Sequence, residues 1–285
     1  MGIQFKSVSH EYFSFSSNDE AIKDINLTIE KEGEFVAILG HTGAGKSTLV
    51  QHMNALIYPT SGELTVFGTN LPPKKREKVN HLRQKVGLVF QFPEYQLFEN
   101  TIIEDISFGP KNFKATKEHA LDNAKKAAAL VGLGEDMYNK SPFQISGGQM
   151  RRVAVAGVLA MDPSILVLDE PTRGLDPRGR DETMEIFKRI NEEENKSIVL
   201  ITHDMDIVSK YAKRIVVLKE GRIVFDGCKE DLYVHPDFDS FNLDYPTPLK
   251  ILKHLNETLN VPFVPQYTKE DLIAYLKGVK LWIIK

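Results

Sequence analysis

The sequence predicts an α/β fold built on a mainly parallel β-sheet. Short apolar runs rich in β-branched residues alternate with helical patterns along most of the 285 residues, which is the order of elements in α/β proteins. Several runs, such as residues 165–168 and 198–201, are apolar at every position. Such strands are typical of a parallel sheet that is covered on both faces. A Gly-rich segment at residues 40–47 also separates a predicted strand from a predicted helix.

The predicted elements follow one another in a regular order. We expect strands at residues 3–8, 26–29, 34–39, 63–67, 86–90, 165–168, 198–201, 215–218 and 222–225. We expect helices at residues 46–56, 117–131, 146–161, 178–194 and 205–211, with Pro177 as a first helical residue.

Two segments depart from this alternation. Residues 91–161 contain little strand pattern, which predicts a mostly helical insertion at about residues 92–161. After Gly227, five prolines separate short amphipathic segments. One predicted helix covers residues 249–259, and a second begins after a Thr268 cap and ends at Gly278. We therefore expect a main domain at residues 1–228 and a small helical appendage at residues 229–285.

Composition excludes some classes of function. Lys and Arg number 36 against 39 Asp and Glu, which argues against nucleic acid as the main partner. The basic cluster at residues 74–78 is interpreted as a solvated loop rather than a binding patch. The single cysteine, Cys228, fits a reducing compartment. No apolar run approaches the roughly 20 residues that span a bilayer, so any membrane function requires spanning segments from other chains.

The Gly-rich segment has the chemistry of a phosphate-binding loop. Its residues fit the pattern G-x-x-x-x-G-K-[ST] between a strand and a helix: Gly40, His41, Thr42, Gly43, Ala44, Gly45, Lys46 and Ser47. Backbone N–H groups and the helix N-terminus bind phosphate oxygens. In this pattern Lys46 reaches the β- and γ-phosphates and Ser47 ligates Mg²⁺. The alternative is an ordinary Gly-rich turn before a helix.

Two carboxylates follow the apolar strand at residues 165–168. Parallel sheets bind ligands at the carboxyl ends of their strands, so Asp169 is a candidate for holding Mg²⁺ or its waters. Glu170 is then a candidate for polarising an attacking water. Acidic residues at strand ends are common, and the phosphate loop upstream favours the functional interpretation.

A second candidate anion site begins a later helix. Ser146 and Gln149 have the spacing of a capping box, and Gly147 and Gly148 expose the N–H groups of the first turn. An open helix N-terminus of this kind binds an anion. The alternative is an ordinary capped helix.

In order and spacing, the phosphate loop, the Asp169-Glu170 strand end and the segment Ser146-Gly147-Gly148-Gln149 resemble the ATP-binding-cassette (ABC) ATPases. The resemblance covers roughly residues 3–228. It implies a phosphate-loop nucleotide-binding fold with an antiparallel β subdomain and a helical subdomain. It also implies a head-to-tail dimer that holds ATP and Mg²⁺ between the phosphate loop of one chain and the signature segment of the other.

The resemblance gives other residues family roles. Gln91 matches the Q-loop glutamine, which senses Mg²⁺ and contacts the transport subunit. Asp176 matches the D-loop, which crosses to the other chain, and His203 matches the switch histidine at the γ-phosphate. Tyr12 matches the aromatic that stacks on adenine, although Phe13 and Phe15 are neighbouring candidates. Thr48 joins the nucleotide-binding set, and Lys46, Glu170 and His203 form the catalytic set.

One family position is unusual. Arg173 stands where many family members carry a small residue, and it is expected to alter D-loop contacts at the dimer seam.

A narrower resemblance rests on residues 90–99, residues 141–143 and 147–154, and His41. These look like the second, A-prime type of energy-coupling factor (ECF) ATPase. The resemblance implies a peripheral subunit on the cytoplasmic face of the cell membrane that powers vitamin or micronutrient uptake. Its implied partners are a paralogous ATPase, a transmembrane coupling protein and a substrate-capturing membrane subunit.

The Q-loop groove, with Phe92, Glu94 and Tyr95, is expected to receive a coupling helix, and Glu94 is expected to pair with an arginine on it. The alternatives are another ABC importer, for example of a metal ion, a soluble ABC ATPase and a phosphate-loop kinase.

Overall fold

The computed structural model describes residues 1–13, 18–72 and 79–279. The predicted solvated loop at residues 74–78 therefore lies outside the described residues. The strands are β1 (Ile3–Phe13), β2 (Asn18–Ile29), β3 (Phe35–Leu39), β4 (Ser61–Val66), β5 (Thr69–Leu71), β6 (Val86–Val89), β7 (Ile165–Asp169), β8 (Ser197–Ile201), β9 (Arg214–Lys219) and β10 (Arg222–Gly227).

The helices pack around two sheets. They are α1 (Lys46–Met53), α2 (Asn80–Lys85), α3 (Ile102–Asn112), α4 (Lys117–Leu130), α5 (Gly147–Leu159), α6 (Pro177–Glu193), α7 (Met205–Tyr211), α8 (Lys229–Tyr233), α9 (Thr247–Leu259) and α10 (Lys269–Gly278). The predicted α/β class is confirmed, and Pro177 is the first residue of α6 as expected.

The larger sheet has the order β10-β9-β3-β8-β7-β6. Strands β6, β7, β8, β3 and β9 run parallel, and β10 is antiparallel at the edge. All residues of β3 and β8 are buried, because helices cover one face of the sheet and the small antiparallel sheet with α1 covers the other. The carboxyl ends of β3, β7 and β8 therefore meet at one edge, where the candidate site lies.

The smaller sheet is antiparallel and has the order β2-β1-β4-β5. Its first two strands extend several residues beyond the predicted ranges, because each supplies the other with backbone partners. His10 pairs with Ile22 and Glu11 with Glu20, although these positions lack an apolar pattern. The three-residue strand β5 was not predicted, since so short a strand carries no readable periodicity.

Residues 92–161 form the expected mostly helical region. Helix α5 packs against α3 and α4, and its buried residues Val153 and Ala156 join the main core. Helix α3 was not among the predicted helices. The sequence did contain a capping signal, a Thr followed three residues later by a Glu. In the structure Thr101 caps α3 by accepting from the backbone N–H of Glu104.

The residues after 228 divide between two apolar clusters. Leu232, Phe238 and Leu249 belong to the main core, whereas Leu252, Val261 and Leu272 form a small separate cluster. Thr268 caps α10 as predicted, accepting from the N–H of Asp271 at 3.1 Å. The division into domains at residue 228 stays a prediction.

Helix α9 is fixed to the main domain at its first turn. The backbone N–H and the hydroxyl of Thr247 donate to the two carboxylate oxygens of Asp206 at 2.6 and 2.7 Å. Asp206 lies in the first turn of α7, so the appendage is tied to the element that follows His203. None of the described helices combines the length and the apolar content that crossing a membrane requires.

Candidate functional site

The phosphate loop connects β3 to α1 and is shaped by two glycines. Gly40 has a φ of +144°, and a Cβ there would lie 2.3 Å from the carbonyl oxygen of Leu218. Gly45 has a φ of +100°, and a Cβ there would lie 2.4 Å from the carbonyl oxygen of Ala21. Gly45 is the N-cap of α1 and provides no capping side chain. The first N–H groups of α1 are therefore left to bind an anion.

Lys46 folds over this loop. Its ammonium group donates to the carbonyl oxygens of Gly40 at 2.6 Å and His41 at 3.0 Å. Burial lowers the pKa of Lys46, and the negative charges of Glu170 and Asp169 oppose that shift. The ammonium group of Lys46 therefore faces two carboxylates across the loop.

The two carboxylates lie at the end of β7. Burial raises the pKa of Asp169, the charge of Glu170 raises it further and Lys46 lowers it. Glu170 has a φ of +49°, a conformation that costs free energy outside glycine and that clusters at functional sites. Its backbone N–H donates to the carbonyl of Ile201 at 2.9 Å. This contact joins the ends of β7 and β8.

Strand β8 brings His203 and Thr202 to Glu170. The Nδ1 atom of His203 lies 2.8 Å from Oε1 of Glu170, and the hydroxyl of Thr202 donates to Oε2 at 3.4 Å. The Glu170 side chain is 15% exposed, whereas the His203 side chain is 78% exposed. A carboxylate accepts the Nδ1 proton, so Nε2 of the ring is left for an outside group.

These side chains line one cavity of about 790 Å³. The predicted residues that line it are Gly40, His41, Thr42, Lys46, Glu170 and His203. Its lining does not include Ser47, Gln91 or Asp169. Residues 242–244 of the predicted appendage also line it, which the sequence did not indicate because they carry no recognisable motif.

Tyr12 lies beside Thr48, the residue that follows the phosphate loop. Its hydroxyl is 3.3 Å from the hydroxyl of Thr48, and its ring makes an edge contact with His10 at 4.6 Å between centroids. Tyr12 is 43% exposed, so one part of the ring is open to a ligand. The side chain of Phe13 and the whole of Phe15 lie outside the described part of the chain.

The Ser146 segment does not join the phosphate loop within one chain. Ser146, Gly148, Gln149 and Asp176 line a separate cavity of about 590 Å³, and only Gly174 lines both cavities. The capping box is present: Ser146 accepts from the Gln149 backbone, and the Gln149 amide oxygen accepts from the Ser146 N–H at 3.0 Å. Asp176 caps α6 by accepting from the N–H of Gly179 at 3.0 Å.

The Q-loop is held by contacts that the sequence did not reveal. Arg151 of α5 donates to both carboxylate oxygens of Glu94 at 2.9 and 3.0 Å, so Glu94 has an internal partner rather than a free carboxylate for a coupling helix. Arg151 is 5% exposed. The sequence did contain a signal for this burial. Arg151 lies four positions before the buried Val155 and therefore on the same face of the helix. Gln91 faces Arg173, so the unusual arginine contacts the Q-loop.

Comparison with known proteins agrees with this geometry. The family model described as ABC transporter matches residues 22–173. The chain is 48% identical over 262 residues to the energy-coupling factor transporter ATP-binding protein EcfA2 of Bacillus subtilis (strain 168), covering 91% of this chain and 95% of that protein. It is 53% identical over 235 residues to the EcfA2 protein of Enterococcus faecalis (strain ATCC 700802 / V583), covering 82% and 81%.

Solved structures with the same fold include ABC cassettes. One is cbiO1 from Clostridium perfringens, described as part of the ABC transporter complex cbiONQ, with a TM-score of 0.73, 33% identity and coverage of 90% and 95%. Another is a dimeric ATP-binding cassette bound to ADP and Pi, with a TM-score of 0.68, 33% identity and coverage of 79% and 98%. The predicted family is confirmed: the chain belongs to the ABC transporter ATPases and, among them, to the energy-coupling factor transporter ATP-binding proteins.

Proposed function

We propose that this chain is one ATPase arm of an energy-coupling factor importer that takes up a vitamin or similar micronutrient. The observation that carries the proposal is the separation of two half-sites. Lys46, Glu170 and His203 line one cavity, and Ser146 lines another on the same chain. A complete site therefore needs the signature segment of a second ATPase, and a paralogous partner supplies it.

The nucleotide is proposed to bind along the phosphate loop. Backbone N–H groups of residues 40–48 surround the phosphates, and the Lys46 ammonium exchanges its two carbonyl acceptors for phosphate oxygens. The exposed part of the Tyr12 ring stacks on adenine. The Tyr12–Thr48 contact ties that ring to the helix that follows the loop.

Mg²⁺ is proposed to bind between the loop and β7. Ser47, Asp169 and Gln91 supply hydroxyl, carboxylate and amide oxygens, which are the donors Mg²⁺ prefers. Burial and the charge of Glu170 raise the pKa of Asp169, and a cation bound here would compensate that buried negative charge. Within the described residues, no three His, Cys, Asp or Glu side chains form a metal cluster. Phosphate oxygens are proposed to complete the coordination. When bound, the ion neutralises phosphate charge.

Glu170 is proposed to orient the water that attacks the γ-phosphate. The contact with His203 at 2.8 Å fixes its carboxylate, and Thr202 steadies the second oxygen. Nε2 of His203 is then proposed to lie toward the γ-phosphate, to which it donates when the ring carries a proton on both nitrogens. All these groups belong to this chain, so the water is activated on the side of its own phosphate loop.

The Ser146 segment is proposed to serve the partner's nucleotide. A Cβ at Gly147 or Gly148 would meet no atom within 4 Å, so the first turn of α5 is open to an approaching phosphate. The capping box uses the Ser146 side chain and leaves N–H groups of that turn available. Asp176, in the same cavity, lies beside the dimer contact.

The membrane partners are proposed to dock on the Q-loop side, from the cytoplasmic face. Tyr95 is 83% exposed and Phe98 is 57% exposed, and Phe98 packs edge-on against the exposed Phe108 at 4.8 Å. Exposed aromatic side chains are typical anchors for a partner helix. The partners are a transmembrane coupling protein and a substrate-capturing subunit.

The test is purification of the tagged chain from detergent-solubilised membranes. The proposal expects a second ATPase and two hydrophobic membrane proteins in the complex, with ATPase activity that Glu170→Gln reduces about a hundredfold. Recovery without membrane proteins would contradict the transport role. Normal turnover at the site that carries Glu170→Gln would contradict the role of Glu170 while leaving the transport role intact.

A further inference from the structure

The amide group of Gln91 faces a guanidinium group of its own chain. A guanidinium only donates hydrogen bonds, so the atom of Gln91 that faces it is the amide oxygen. In that orientation Oε1 accepts from Nη1 of Arg173 at 2.8 Å and from Nε at 3.1 Å. The planar fork of arginine therefore meets one oxygen with two donors.

The backbone that carries Arg173 is fixed on both sides. Its N–H donates to the carbonyl of Glu170 at 3.1 Å, and its own carbonyl accepts from Nη1 of Arg151 at 2.9 Å. Arg151 is itself paired with Glu94, which follows Gln91 in the Q-loop. The guanidinium of Arg173 thus reaches Gln91 from a rigid base, and the Q-loop and the segment after Glu170 are joined at two points.

We propose that Arg173 is a positioning residue that holds the Gln91 amide oxygen away from the magnesium position until metal and nucleotide compete for it. The inference rests on the proposed metal role of Gln91. Two donors of one guanidinium converge on this oxygen at 2.8 and 3.1 Å, and a cation that already contacts the oxygen repels a second cation. Coordination of Mg²⁺ by this oxygen therefore requires that the Arg173 contact is broken.

The Arg173–Gln91 contact couples Mg²⁺ binding by Gln91 to the position of the D-loop. Arg173 immediately precedes Gly174, and both line the cavity that contains Lys46 and Glu170. When Gln91 turns to the metal, the released guanidinium stays in the wall of the phosphate cavity. Since coupling between two binding events is reciprocal, a partner that moves the D-loop also changes the affinity of Gln91 for Mg²⁺.

The experiment measures how much Mg²⁺ strengthens nucleotide binding. A fluorescent, hydrolysis-resistant ATP analogue is titrated into the full chain with Mg²⁺ and with EDTA, and the ratio of the two affinities is compared among variants. Arg173→Ala is expected to raise this ratio about fivefold, the size expected for losing a partly exposed charged hydrogen bond. Arg222→Ala, an exposed arginine on β10, is the matched control and should leave the ratio unchanged.

A double-mutant cycle with Gln91→Ala separates the contact from general charge repulsion. In the Gln91→Ala background, Arg173→Ala should no longer raise the ratio, because the oxygen it held is gone. An unchanged ratio in Arg173→Ala, or an increase that persists without Gln91, would overturn the inference. If Gln91→Ala alone lowers the ratio while Arg173→Ala has no effect, only the holding role is wrong. If Gln91→Ala alone has no effect, the metal role of Gln91 fails and the inference fails with it.

Discussion

The Nδ1 atom of His203 and the Oε1 atom of Glu170 lie 2.8 Å apart, across the ends of two neighbouring parallel strands. This contact sets the orientation of the carboxylate that faces the phosphate loop. It also requires a proton on Nδ1, because a carboxylate only accepts, so Nε2 donates to a phosphate only when the ring is an imidazolium.

Removal of either partner should stop hydrolysis without abolishing nucleotide binding. We expect Glu170→Gln and His203→Ala each to lower the turnover of the assembled complex by about a hundredfold, the usual contribution of a positioned base or a charge-stabilising donor. Phosphate release and binding of a fluorescent ATP analogue are the measurements. Glu193→Gln, at the exposed end of α6, is the control. Loss of binding together with turnover would point to a folding role instead.

Three glycine substitutions should separate backbone strain from phosphate access. Gly40→Ala should lower the free energy of unfolding by about 3 kcal/mol, because its Cβ would overlap the Leu218 carbonyl and its φ is positive. Gly43→Ala has the positive φ without the overlap and should cost about 1 kcal/mol. Gly148→Ala meets no atom and has no positive φ, so stability should stay within about 1 kcal/mol.

The ATPase activities of these glycine variants should not follow the order of their stabilities. Gly148→Ala places a methyl group where the partner's phosphate is proposed to approach, so the complex should lose most of its turnover although the variant is stable. Urea unfolding and phosphate release measured on the same preparations test both statements. A stable and fully active Gly148→Ala complex would contradict the role of this helix N-terminus.

The Arg151–Glu94 ion pair should contribute to stability through its burial. The side chains are 7% and 16% exposed, so removing one partner leaves a desolvated charge. We expect Arg151→Met to cost about 3 kcal/mol of unfolding free energy. The double variant with Glu94→Gln should cost less than the sum of the two single changes. Urea denaturation of the four proteins provides the cycle, and additive losses would mean that the pair contributes no coupling.

His52 predicts a specific loss of stability in acid. The residue is fully buried, its Nδ1 donates to the Thr48 carbonyl at 2.7 Å and its Nε2 has no hydrogen-bond partner. Burial lowers its pKa from 6.5 to about 4, and the neighbouring His10 contributes to the decrease. The unfolded chain takes up this proton near pH 6.5 and the folded chain only near pH 4, so stability falls as pH decreases through that interval.

Titration of His52 should lower the free energy of unfolding by about 2 kcal/mol between pH 7 and pH 5. His52→Asn keeps a donor for Thr48 and removes the titration, so its stability should fall less than that of the native chain over the same range. Urea midpoints at the two pH values give the comparison. His254→Asn, an exposed position on α9, should behave like the native chain. Equal losses in the native chain and His52→Asn would show that another group controls the acid sensitivity.

Local chemistry could be predicted from the sequence because it depends on residues close together in the chain. The capping box at Ser146 and the cap at Thr268 are examples. The phosphate loop and the Asp169-Glu170 strand end were predicted for the same reason, because the end of an apolar run marks the end of a strand. Helix α3 was missed although the Thr101-to-Glu104 spacing was a readable capping signal.

Tertiary structure decided the contacts between distant segments. Arg151 and Glu94 are 57 residues apart, and no periodicity relates them. The same holds for the Arg173–Gln91 contact and for the tie between Asp206 and Thr247. Such pairs depend on how helices and loops pack at the sheet edge.

By itself, the sequence determined that this protein has an α/β fold with a nucleotide-binding loop, because spacing and polarity along the chain encode strands, helices and caps. Only the tertiary structure decided that the phosphate loop, Glu170 and His203 share one cavity while Ser146 lines another. The reason is physical: the parallel order of β3, β8 and β7 brings three strand ends together, whereas α5 packs with the helical region and carries its N-terminus to a different surface.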